Sequence, residues 1–472
     1  MAHRFCSLVL ALGLVAACRS GAPLPSADAI VEGRAGDVVP DTVDDIARVS
    51  LDRAHWLVRD RVAPPRDFWE EVSVLDLPAA ERASRNLDER TFAVALRKLM
   101  MSDPEDAAVA FRALHLAARD NAVRSRARVG LTMALSWRSD WPALASIGAD
   151  PDTAGVVLDS LTVQASVERW ALAFSNLPPP VVDVPGTPVT LPLLRSAFGT
   201  PIVTVRINGK PKQFWLDTGA SMTLVSADVA VEAGVKLAST DSLALGVVAG
   251  HIPARAVLVD SLSLGPITAK GLSAALVNAS VLRMDRRVVN GVPEVVQIDG
   301  VIGTDLLREL DITLDAAAST ITIRRPHRDP RAVRNLYWVG YPVVRLVSED
   351  GRPLLFGLDT GAEGTYFTTS MLKKLPRTPV AMRRGTIGGL GSEQHMTSWV
   401  ARHVALSDGD YALTLENIPV APERRWTFVT FDGVIGSDVA LHARLHLDFL
   451  NGVFDVRRSN SAVKEVNVTI GH

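Results

Sequence analysis

The sequence predicts a multidomain protein with an N-terminal all-α region followed by two all-β units of one design. Three observations carry that reading. The chain has 472 residues, too many for one ordinary domain. Apolar residues recur at helical spacing before a proline-rich stretch and in strand-like alternation after it. The β part also reads twice, with the same short motifs in the same order. A hydrophobic content of 47% and a charged content of 22% provide material for real cores. With 50 basic and 52 acidic residues the formal net charge is -2, which gives no electrostatic reason to expect a nucleic-acid partner.

The chain starts as a targeting segment. Arg4 precedes the apolar run Leu8 to Ala17, which is too short to span a bilayer. The run ends in Val15-Ala16-Ala17-Cys18, which resembles the bacterial lipobox, where a signal peptidase cuts before a cysteine that is then lipidated. A plain secretory signal with an incidental cysteine is the other reading. The lipobox resemblance implies a signal peptide over 1–17 and a lipid bilayer as partner through acylated Cys18. Arg19 stands where an inner-membrane retention aspartate would be, so the expected place is the bacterial outer membrane, facing the periplasm. The only cysteines are Cys6 and Cys18. Disulfides, zinc-cysteine sites and a cysteine nucleophile are therefore excluded in the mature chain.

Residues 18–45, rich in Gly, Ala, Pro and Asp without periodicity, read as a flexible tether. A helical domain is expected over 46–177. Phe92, Leu96, Leu99 and Met100 share one helical face, as do Ala107, Phe111, Leu114 and Ala118. Asp103 and Pro104 between them make a helix start, and further helix is expected through Leu135 and from about Thr153 to Phe174. The pairing suggests either a tetratricopeptide-like array or a non-repeating bundle, with no consensus to separate them. Residues 178–192, opened by Pro178-Pro179-Pro180, read as a stiff linker.

The β units are expected over 193–327 and 328–460, with a tail at 461–472. In the first, strand alternation from Ile202 to Ile207 meets the turn pair Asn208-Gly209, and Phe214-Trp215-Leu216 leads into Asp217. In the second, Val343 to Val347 meets Asp350-Gly351, and Leu355 to Leu358 leads into Asp359. The aspartates are 359 − 217 = 142 positions apart. Asp299-Gly300-Val301-Ile302-Gly303 recurs as Asp432-Gly433-Val434-Ile435-Gly436, offset by 436 − 303 = 133. The first copy therefore carries 142 − 133 = 9 extra residues, expected in a loop from Ala279 to Ile298.

Asp217-Thr218-Gly219-Ala220-Ser221 and Asp359-Thr360-Gly361-Ala362-Glu363 each follow a hydrophobic strand. A given Asp-Thr-Gly triplet arises by chance on the order of 0.1 times in such a chain. Two copies in matched positions, each followed by a Val-Ile-Gly element, are not accidental. From Leu193 to Arg458 the chain resembles the retropepsin-like, retroviral-type aspartic peptidases. The resemblance implies pepsin- or retropepsin-like lobes, a peptide or protein substrate, and Asp217 and Asp359 as the catalytic pair. Two carboxylates held in contact cannot both ionise cheaply, so they share a proton. One then activates water while the other donates to the substrate carbonyl. No cofactor or metal is implied.

By the same resemblance Thr218 and Thr360 brace the two active loops, and Gly219 and Gly361 let backbone approach the carboxylates. Val301-Ile302 and Val434-Ile435 pack beneath. Flaps are expected at Gly246 to Pro253 and at Gly385 to Gln394, with Gly389 and Gly391 as substrate-contacting glycines. Ser221 and Glu363 are further substrate-binding candidates; a solvated carboxylate is the plain alternative for Glu363. His442 and His446 have the His-x-x-x-His spacing without the adjoining Glu of a zinc peptidase. A peptidase active as a monomer, its lobes pairing within one chain, is the leading expectation. Pairing between chains, and a catalytically silent envelope protein that binds peptides through its lobes or helices, are the alternatives.

Overall fold

The computed structural model describes residues 3–6, 47–54, 66–147, 167–196, 199–247, 250–287, 293–389, 392–409, 411–426, 428–441 and 443–459. The chain is mostly β with a helical N-terminal region. Helices run over Phe68–Ser73, Leu77–Ala83, Leu87–Met100, Pro104–Ala117, Asn121–Trp137, Trp141–Ile147 and 167–174. Asp67, Asp76, Asn86, Asp103 and Asp120 cap the first five, each side chain accepting a first-turn N–H that the helix itself leaves unpaired. Phe92, Leu96, Leu99, Phe111 and Leu114 are buried where the periodicity put them. Of the helix expected from about Thr153, only 167–174 falls within the described residues.

Two segments differ from expectation. Arg48–Arg53, assigned by sequence to the helical domain, is a strand antiparallel to Tyr411–Ala421. The stretch 178–192 is no free linker: Val181–Asp183 pairs with Thr268–Lys270, and Val189–Pro192 with Thr320–Ile323. The β-branched Val181, Val182, Val189 and Thr190 favour pairing on sheet edges, and Pro192 sits at the end of its strand, where its missing N–H costs little. Residues His3–Cys6 lie as a parallel strand beside Gly385–Gly388. Cys18, the tether and the tail beyond Ser459 lie outside the described residues.

Among the described residues the β part forms two ten-stranded sheets, one of five strands and two two-stranded ribbons. In the first large sheet the hairpin Pro201–Ile207 and Lys210–Leu216 carries Gly300–Ile302 as a parallel neighbour, with Val301 opposite Trp215. In the second, Pro342–Ser348 and Pro353–Leu358 carry Gly433–Ile435, with Val434 opposite Gly357. The two hairpins turn differently despite equal Gly-to-Asp spacing. Asn208 and Gly209 both have positive φ, 46° and 84°, as a two-residue type I′ turn requires. In the second, Ser348 closes on Arg352 and only Gly351 has positive φ, so the turn is one residue longer.

The extra residues of the first unit are not a plain loop. Ala279–Leu282 is a 3₁₀ turn, and Arg283–Arg287 pairs with Pro293–Gln297 as a ribbon. The five-stranded sheet joins both units within one chain: Asp311–Asp315 lies antiparallel to Ala443–Asp448, with Ile312 opposite Leu447. His446 bonds Asp311 across that seam at 2.9 Å, and His442 lies outside the described residues.

Candidate active site

Each aspartate sits where a buried strand ends against the Val-Ile-Gly strand of its own unit. The Asp217 N–H donates to the Ile302 carbonyl at 3.0 Å, and the Asp359 N–H to that of Ile435 at 2.9 Å. The hydrophobic strands Phe214-Trp215-Leu216 and Phe356-Gly357-Leu358 are buried. Both turns are therefore anchored from below by backbone that has no water to bond instead.

Two threonines lock the turns to each other. The Thr218 N–H donates to Thr360 Oγ1, and the Thr360 N–H to Thr218 Oγ1, both at 3.0 Å. Each hydroxyl then donates to the carbonyl before the opposite aspartate, Thr218 to Leu358 at 2.9 Å and Thr360 to Leu216 at 2.7 Å. These four bonds cross between the units and make the arrangement two-fold. The glycines that follow leave room for it. A Cβ on Gly219 would lie 2.5 Å from Asp359 Oδ1, and one on Gly361 would collide equally with the Asp217 carboxyl.

Asp217 and Asp359 are both 0% exposed. Asp217 Oδ1 accepts from the Gly219 N–H at 2.8 Å, and Asp359 Oδ1 from the N–H groups of Gly361 and Ala362 at 3.0 Å each. Among the described residues neither Oδ2 receives a bond from another donor, and the two carboxyls lie within reach of one shared proton. Burial raises both above the ordinary carboxylate range, and for Asp359 the charge of Asp217 adds to the effect. A buried pair of like charges is costly, so the pair retains a proton well above the pH at which a free aspartate loses it.

A further layer repeats in each unit, and the sequence reading gave its residues no role. Asp305 accepts from the Thr223 N–H and hydroxyl, both at 2.9 Å. Asp438 accepts from the same groups of Thr365, at 2.8 and 2.7 Å. The Thr304 and Ser437 hydroxyls donate to the carbonyls of Ala220 and Ala362, at 3.0 and 2.8 Å. The signal was present: Thr223 and Thr365 stand at one distance from their aspartates (223 − 217 = 6; 365 − 359 = 6). Burial pushes Asp305 up to about 6 and raises Asp438 as well.

The other candidates are less central. Ser221 and Glu363 are half-buried beside the turns, and Ser437 Oγ donates to the Glu363 carbonyl at 3.3 Å. The expected flaps are hairpins, Leu243–Val247 with the start of Gly250–Leu264, and Val380–Gly389 with Ser392–Ser407. Gly389 ends its strand and Gly391 lies outside the described residues.

Fold and site together bring two buried aspartates into one braced pair. A family described as aspartyl protease matches residues 203–306, the stretch that carries Asp217 and Asp305, and this match supports a peptidase. No curated protein matches the chain. Among solved structures, an aspartic proteinase from Irpex lacteus is 12% identical, with 58% of this chain and 98% of that one covered and a TM-score of 0.37. A retropepsin-like aspartic protease from Rickettsia conorii is 14% identical, covering 30% of this chain and 91% of that one, with a TM-score of 0.19.

Proposed function

We propose that the chain is an aspartic endopeptidase whose two β units are the two lobes of one catalytic centre. The reciprocal Thr218–Thr360 brace carries this reading. It holds two buried aspartates side by side, each with Oδ1 tied to backbone N–H groups and Oδ2 buried without a donor among the described residues. Structural cores rarely keep two unneutralised carboxylates in contact, because burial penalises the charged form; active sites do. One carboxylate takes a proton from water as it attacks the peptide carbon, and the protonated partner donates to the carbonyl oxygen. The proton taken from water then passes to the departing amine nitrogen, and the other carboxylate recovers its proton from a hydroxyl of the tetrahedral intermediate as the C–N bond breaks. Nothing else is required of the protein beyond orientation and exclusion of solvent.

The lobes pair within one chain through Asp311–Asp315 and Ala443–Asp448, which suits a monomeric enzyme acting on an extended peptide or protein segment. The lipobox-like Val15-Ala16-Ala17-Cys18 supports a lipid-anchored place in the cell envelope, facing the periplasm. The direct test is hydrolysis of a diverse peptide mixture by protein beginning after Cys18. Asp217→Asn and Asp359→Asn, each folded, should lower turnover by at least about 10²–10⁴-fold. Turnover that survives both substitutions would assign the activity to another site.

A further inference from the structure

The helical region is bound to both β units around the buried dyad. On the first unit, Trp170 Nε1 donates to the Ala244 carbonyl at 3.1 Å, and Trp141 Nε1 to Ser273 Oγ at 3.0 Å. Trp141, Trp170 and Phe174 form one aromatic group, with ring centroids 5.2 and 5.7 Å apart. On the second unit, Phe92 meets Phe428 at 5.7 Å and Trp137 meets Trp338 at 5.0 Å. Arg128, itself buried, pairs with Glu168 at 2.8 Å, so the segment 167–174 is tied to the helix Asn121–Trp137.

The place of attachment matters. Leu243–Val247 is a terminal strand of its sheet, the kind of edge on which an extended peptide adds as a further strand. Its Ala244 carbonyl is already taken. Leu243, Leu245 and Ile252 of this hairpin share one apolar core with the helices and with Trp215, Ala220, Met222 and Leu224, which flank Asp217 in sequence. Both catalytic carboxyls are at 0% exposure in this arrangement.

Resting on the peptidase reading, we propose that the helical region is an autoinhibitory latch. By docking Trp170 on the first hairpin at Ala244 and Trp141 on the neighbouring strand at Ser273, while Phe92 and Trp137 grip the second unit, it holds the cleft shut. Release of 167–174 frees the hairpin edge and admits an extended peptide. Any change that weakens docking more than folding then raises the open population.

The test uses the chain from residue 19, with Trp170→Ala, Trp170→Phe and, as a control on the helical surface, Val109→Ala. Trp170→Phe keeps an aromatic ring in the buried site while losing the N–H donor and the five-membered ring, a milder change that covers the case in which Trp170→Ala fails to fold. Amide exchange over residues 243–254 and hydrolysis of a quenched peptide mixture are followed together. Trp170→Ala should raise both by about tenfold or more, Trp170→Phe by less, and Val109→Ala should change neither. Faster exchange with no hydrolysis by any form would keep the latch and remove the peptidase reading. Wild-type hydrolysis equal to that of both Trp170 variants, with unchanged exchange, would overturn the latch and leave the peptidase.

Discussion

The two β units keep the same polar framework around their aspartates and fill the space beside it differently at one matched apolar position. Each pairs its Asp-Thr-Gly turn with a Val-Ile-Gly strand, ties a threonine six positions on to a half-buried aspartate, and hangs a hydroxyl on the Ala carbonyl. Near the dyad the first unit has Trp215 where the second has Gly357 (357 − 215 = 142). Tyr341 occupies the space over Gly357, its Cε1 2.8 Å from where a Cβ would stand. Hydrogen-bond geometry tolerates little error, whereas volume can be supplied from either strand of a hairpin. The polar alignment of the two aspartates is the same in both units, while the volume at this position comes from different residues.

The largest expected effect comes from breaking that exchange of volume. Trp215→Ala should cost about 3–5 kcal/mol of stability by leaving a large cavity, measured by denaturant unfolding. Gly357→Ala should cost less, about 1–3 kcal/mol, through overlap with the Tyr341 ring. Adding Tyr341→Leu should recover part of the Gly357→Ala loss and none of the Trp215→Ala loss. Recovery in both backgrounds would show that the two sites are not packed independently.

The threonine brace sharpens the other side of the comparison, where the units are alike. Thr218→Val or Thr360→Val removes two hydrogen bonds and strands a buried N–H on the partner loop. Each should cost about 2–3 kcal/mol and reduce turnover. Because all four bonds act as one brace, the double variant should lose less than the sum of the singles in a double-mutant cycle. Strict additivity would mean that the loops are held independently.

A smaller effect is set by pH. Asp305 has a folded pKa of about 6 against an ordinary value of 3.8, raised by burial, so folding favours its protonated form. Its contribution is present below about 4 and is lost as pH rises through 6. Loss on the order of 2 kcal/mol is expected between those limits. Thermal midpoints of wild type and Asp305→Asn should lie closest in acid, and the variant should gain relative to wild type as pH rises through 6. The dyad shifts in the same direction, so Asp217→Asn should gain most, relative to wild type, above neutral pH.

The smallest effect probes a charge found on one side only. Lys374 bonds the fully buried Asp432 at 2.6 Å, whereas the matched position holds Glu232 (374 − 142 = 232), which pairs with Lys212 at the surface. Lys374→Met should destabilise by about 1 kcal/mol, since Ser370 and the Leu355 N–H still bond the Asp432 carboxyl and Lys374 is partly solvated. Glu232→Gln should stay within about 0.5 kcal/mol.

Much of this was legible in the chain. The repeat, the helix starts at Asp103-Pro104 and the two Asp-Thr-Gly turns depend on local sequence, because capping, alternation and turn chemistry act over a few residues. The extended state of 178–192 was not legible. Its prolines read as a linker, and only the presence of open edges at Thr268–Lys270 and Thr320–Ile323 makes it strand. The unequal hairpin turns were hidden for a related reason: identical spacing from glycine to aspartate says nothing about where the opposing strand begins. Thr223 and Thr365 were visible as a repeated spacing, but their partners 82 and 73 positions away are not.

The sequence by itself determined which residue types stand at each turn and that they stand there twice. Only the tertiary structure decided that Asp217 and Asp359 face each other, that Thr218 and Thr360 bond across the seam, and that the helices fasten the first hairpin. Those relations join residues far apart in the chain, and they arise from burying apolar faces and satisfying buried N–H groups, which no local pattern encodes.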